Sequence, residues 1–80
     1  MLEELKAKAK VVGVKQSRKA IVQGNAAKAF LACDADPELL SELHQCCKEN
    51  DVSIDNGHTM AQLGSACHIS VGAAVAVLLK

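Results

Sequence analysis

Lys15, Gln16 and Lys19 follow Gly13 in the run Val11-Val12-Gly13-Val14-Lys15-Gln16-Ser17-Arg18-Lys19-Ala20, where an apolar stretch passes through glycine into a cationic helix start. Side chains at i and i+4 share a helix face, so these three polar residues lie together on one side, with Ser17, Ala20 and Ile21 on the other. Lysine can donate to guanine O6 and N7, and glutamine offers both a donor and an acceptor to a base edge. The N–H groups of a helix start favour phosphate. The chemistry on offer is recognition of a polyanion with readable edges, and RNA leads. The plainer alternative is a solvated helix face, the usual fate of lysines.

Other reactive groups carry less. Cys33, Cys46, Cys47 and Cys67 include no Cys-x-x-Cys pair, and no zinc spacing links them to His44, His58 or His68. Cys46 and Cys47 continue the apolar stripe of Leu39, Leu40 and Leu43 and read as buried packing, because a free cysteine behaves as a small hydrophobe. Asp34 and Asp36 resemble an acidic catalytic pair, but their place before Pro37 makes them helix-start residues. There is no phosphate-cradling glycine loop and no nucleophile–base motif. No catalytic residue, metal ligand or cofactor is expected.

The elements that must position Lys15, Gln16 and Lys19 come from a chain of 80 residues, near the lower limit for a self-sufficient core and read as one domain over 1–80. Half the residues are apolar, mostly Ala, Val and Leu, with Phe30 the sole aromatic. Small aliphatics close a core only when elements lie close together, which favours a thin layered fold with alanine at the contacts. Residues 2–9 have helix-forming composition, with Leu2 and Leu5 as core candidates. A short strand is expected over 11–14 and a helix over 15–23, closed by Gly24. A strand over 27–33 and a helix from Pro37 to about Asn50 follow. Residues 52–54 read as strand, 55–57 as a turn. Thr59 to Gln62 fits a capping box opening a helix with Met60, Leu63 and Cys67 inward. From Ser70 onward the chain reads as a buried strand. Strands alternating with helices predict an α/β fold, a three-layer α/β/α sandwich around a small four-stranded mixed sheet.

Charge divides along the chain. Residues 1–28 hold seven of the nine Lys and Arg and only Glu3 and Glu4, whereas 29–80 hold the other seven acidic groups against Lys48 and Lys80. A net charge of zero therefore hides parts of +5 and −5. No signal peptide pattern is visible, and the longest apolar run, residues 71–79, is too short to span a bilayer as a helix. The expectation is a cytoplasmic protein without membrane contact.

The stretch from Gly13 to Ala20 is similar to the RNA-binding signature of the ribosomal L-seven-Ae/L-thirty-e family, the kink-turn binders. The likeness continues through Asp34-Ala35-Asp36-Pro37, through Leu63-Gly64-Ser65-Ala66-Cys67, and ends in Val71-Gly72-Ala73-Ala74-Val75. Compact bacterial members look closest. The resemblance implies the same three-layer fold and binding to kink-turn RNA, a sharply bent helix with a bulge beside tandem sheared G·A pairs. It places the RNA contacts on Gly13, Val14, Lys15, Gln16 and Lys19, and on Ile69, Ser70 and Val71, whose apolar members would rest against bulged nucleotides. Many members have Asn and Glu where this chain has Lys15 and Gln16. His68 stands where glycine is common, and a left-handed backbone there would cost histidine about 1 kcal/mol. Gly13 could also serve to let strand and helix pack closely. The expected function is a monomeric, non-enzymatic binder of structured RNA, rRNA or a riboswitch, associated with the ribosome. The alternative is a protein-interaction or assembly module on the same fold.

Overall fold

The computed structural model describes residues 9–69 and 71–80. Apart from its last residue, the helix expected over 2–9, with Leu2 and Leu5, lies outside them, as does Ser70. The described chain runs β1 (Lys10–Val12), α1 (Val14–Val22), β2 (Ala26–Ala32), α2 (Pro37–Glu49), β3 (Ser53–His58), α3 (Met60–Ala66) and β4 (Val75–Leu79). The four strands form one mixed sheet in the order β1-β4-β2-β3. β4 is antiparallel to both its neighbours, and β3 runs parallel to β2. The expected mixed sheet between helical layers is the fold observed.

Alternation along the two central strands builds the layers. Ala29, Leu31, Val75 and Val77 face one way and meet Ala20 and Ile21 of α1 and Leu43 and Cys47 of α2. Phe30, Ala32, Ala76 and Leu78 face the other way and meet Leu63, Ala66 and Cys67 near α3. This is the period of two that places successive side chains on opposite faces of a sheet. Alanine occupies many of these contacts, as a thin core of small aliphatics requires. Cys47 and Cys67 are buried and Cys46 is half-buried, while Cys33 is exposed. Burial pushes the Cys47 thiol up to about 11, helped by neighbouring Cys46, and raises Cys67 as well.

Helix boundaries follow from local chemistry. Asp36 accepts the Glu38 N–H at 2.9 Å and Pro37 opens α2. Thr59 Oγ1 accepts the Gln62 N–H while Gln62 Oε1 accepts the Thr59 N–H, the reciprocal pair expected for α3. All three described helices end in a left-handed residue with paired return bonds. At α1 it is Gly24, φ 77°, with Gly24 N–H donating to the Ile21 carbonyl and Asn25 N–H to that of Ala20. Asp51 and His68, at φ 60° and 61°, take the same place after α2 and α3.

Three expected boundaries move. The strand expected over 11–14 ends at Val12, because Gly13 turns at φ 99° and Val14 is already helical. Asp55-Asn56-Gly57 makes the bond of a turn, Asp55 Oδ1 accepting the Gly57 N–H at 3.0 Å, yet stays in β3. A register shift between Phe30 and Ala32 on β2 absorbs it. Among the described residues the last strand starts at Val75, since Ile69 and Ala73 before it donate to the Gly64 and Met60 carbonyls of α3, and Ala74 meets β2 only through its carbonyl. Among the described residues no helix is long and apolar enough to cross a membrane.

Candidate nucleic-acid interface

β1, β2 and β3 run the same way and β4 runs against them, so one end of the sheet collects three strand ends and one strand start. Gly13 leaves β1 there, Asp34 follows β2, Thr59 follows β3, and the segment before β4 arrives there. Hydrogen bonds stitch these turns together. Gly13 N–H donates to the Val75 carbonyl at 3.1 Å, Ala32 N–H to Ala74 at 2.9 Å, and Cys33 N–H to His58 at 2.8 Å. Residues 13–16 and the segment entering β4 through Ala73 and Ala74 thus meet at the same end of the sheet.

α1 begins differently from its neighbours. α2 and α3 have side-chain caps, whereas Gly13 has no side chain to offer, and the first turn of α1, like that of α3, holds no acidic residue. A helix start concentrates unpaired N–H donors and the positive end of the helix dipole. Lys15, Gln16 and, one turn on, Lys19 are exposed around it, and neither lysine pairs with a carboxylate among the described residues. Val14 is half-buried. On the opposite side Ser17, Ala20 and Ile21 are buried, as the spacing predicts. Nothing lies within 4 Å of where a Cβ at Gly13 would sit. Its glycine therefore answers to the backbone turn at φ 99° and not to close strand–helix packing, which corrects that expectation.

The second stretch is held against α3. Ile69 N–H donates to the Gly64 carbonyl and Ala73 N–H to that of Met60, each at 3.0 Å. A Cβ on Gly64 would run into the Val71 carbonyl, so the segment can lie this close only over glycine. Clamped in this way, it presents Ile69 and Val71 at 38% and 69% exposure, an apolar surface beside α3. His68 just before it has the left-handed backbone that glycine would hold without strain.

Sequence reasoning missed three features. Asp34 does not open α2; its Oδ1 accepts the Met60 N–H at 2.8 Å and caps α3, 26 positions along the chain. No local pattern signals such a link. Arg18 pairs with Glu42 at 3.0 Å, joining α1 to α2. Val22 is 61% exposed, and with Val14, Lys15, Arg18 and Lys19 it lines a shallow groove of about 490 Å³ along the outer face of α1. Among the described residues no three of His, Cys, Asp and Glu gather as a metal site.

Residues 2–80 match the model of the ribosomal protein L7Ae/L30e/S12e/Gadd45 family. This chain belongs to that family. An RNA-binding protein of Bacillus pumilus is similar at 39% identity over 70 residues, covering 86% of this chain and 85% of its own. The RNA-binding protein YbxF of Geobacillus stearothermophilus is 34% identical over 70 residues, covering 88% and 85%. Among solved structures, a Giardia lamblia 15.5 kD RNA-binding protein superposes with a TM-score of 0.86 and 29% identity, over 99% of this chain and 67% of that one. A Bacillus halodurans protein of unknown function, at 20% identity, matches in fold with a TM-score of 0.89 over 99% and 83%.

Proposed function

We propose that this protein is a non-enzymatic RNA-binding module, residues 1–80, that recognises kink-turn RNA and stabilises its bent form. The observation that carries the reading is the pairing, at one end of the sheet, of an uncapped cationic helix start with a clamped apolar segment. Family membership and the RNA-binding names of its relatives point the same way. Lys15, Gln16 and Lys19 then read the exposed base edges and phosphates of the kink, with Gly13 and Val14 shaping the helix start. Ile69, Ser70 and Val71 rest against the bulged nucleotides. A regular RNA major groove is too narrow for side chains, but a kinked one opens. Because the protein binds the bent conformer better than the extended one, binding shifts the RNA population toward the bend.

In this reading the protein acts as a cytoplasmic, ribosome-associated monomer on rRNA or on a riboswitch. Cys47 and Cys67 serve the core in this reading, since both are buried and burial pushes their thiols further from the reactive thiolate. The test is a titration of kink-turn RNA with wild type, Lys15→Ala and Lys19→Ala. Each substitution is expected to cost about 1–3 kcal/mol, the worth of one specific base contact. Unchanged affinity in both variants would refute the assignment, and no binding by wild type would favour the assembly module.

A further inference from the structure

Asp34 carries a negative charge at the end of the molecule proposed to meet RNA, where charge alone would be unhelpful. Its geometry supplies another reason for it to be there. The carboxylate accepts the N–H of Met60 at 2.8 Å, and the carbonyl of Met60 accepts the N–H of Ala73 at 3.0 Å. Ala74, the next residue, accepts the N–H of Ala32 at the end of β2, two positions before Asp34. These bonds close a ring from the end of β2, through α3, to the segment before β4, and back. Inside the ring the fit is tight: a Cβ on Gly72 would sit 3.1 Å from that of Met60, and Gly64 lies against the Val71 carbonyl. Every other bond in the ring joins backbone to backbone. Asp34 is the one side chain in it.

We infer that Asp34 is a positioning residue for the apolar contact segment: by holding Met60 it fixes where Ile69 and Val71 are displayed. The inference rests on the RNA reading for its functional consequence, but its structural half stands apart from it. A short charged side chain tolerated near RNA makes sense if its acceptor oxygen matters more than its charge. The two can be separated, because asparagine keeps an acceptor and drops the charge, whereas alanine drops both.

The experiment compares wild type, Asp34→Asn and Asp34→Ala in two readouts. Amide hydrogen exchange in the RNA-free protein is expected to be roughly three- to tenfold faster at Met60 and Ala73 in Asp34→Ala, the scale of losing one helix cap, and near wild type in Asp34→Asn. Kink-turn affinity should fall by a similar factor in Asp34→Ala despite the lost negative charge, and stay level or rise in Asp34→Asn. If Asp34→Ala does not fold, Asp34→Glu replaces it; it keeps the charge but displaces the acceptor, and the same loss is expected. Unchanged exchange at Ala73 in the Ala or Glu variant would overturn the inference. So would an Asn variant as defective as Ala, or an Ala variant that binds kink-turn RNA like wild type. Should wild type bind no kink-turn RNA, the RNA reading fails and the exchange data alone decide whether Asp34 positions the segment.

Discussion

Individual residues at this interface depart from what backbone comfort alone would select. Gly13 and Gly24 occupy positive φ, where glycine is at no disadvantage, but His68 does so at 61° with a Cβ. Its N–H donates to the Ser65 carbonyl, so the turn is made correctly and only the residue type is strained. His68→Gly should therefore stabilise the protein by about 1 kcal/mol, read from the urea midpoint. A loss of stability would mean that the imidazole makes a compensating contact. Ser17 is a second departure, fully buried on the inner face of α1 with no partner for its Oγ among the described residues. Nothing in the structure explains it.

At the scale of elements, the question is how a seven-residue helix and the segment after it become a rigid platform. α3 is too short to be stable alone, since isolated helices below about 12–15 residues are marginal in water. It is secured by its capping box, by Asp34, and by the burial of Leu63 and Ala66 under the sheet. Gly64 lets the next segment lie across it. Gly64→Ala gains helix propensity of about 1 kcal/mol but drives a methyl into the Val71 carbonyl. Overpacking of this kind costs about 1–3 kcal/mol, so a net loss of stability is expected, with the clearest chemical-shift changes at residues 69–72. An alanine variant as stable as wild type would show that the segment can lift away freely. Much of this architecture was legible beforehand: the capping box, Pro37, Gly24, and the inward Ser17, Ala20 and Ile21 all follow local or periodic rules. The long-range items were not. Asp34 caps a helix 26 residues away, β3 continues through a turn sequence, and β4 starts late, each because tertiary hydrogen bonds overrule the local signal.

The whole molecule is electrically divided, with basic α1 and acidic α2 packed on one face of the sheet and joined through Arg18 and Glu42. That pair is exposed on both sides and contributes little to stability. Stability instead rests on a core of small aliphatics and thiols, and the thiols give it a pH dependence. Burial raises Cys47 from 9.0 to about 11, so the folded state keeps a proton that the unfolded chain releases. Its contribution is complete below pH 9 and is lost as pH rises toward 11. Urea midpoints of wild type should drop more steeply across that interval than those of Cys47→Ala, and parallel curves would contradict this. The functional account makes its sharpest claim about RNA shape. The most direct measurement is the end-to-end distance of a kink-turn RNA labelled at both helix ends, titrated with the protein beside a matched duplex lacking the G·A pairs. The kink-turn is predicted to shorten to a saturating value while the duplex keeps its length. Equal responses from both RNAs, or none from either, would contradict the proposal that this interface recognises and holds the bend.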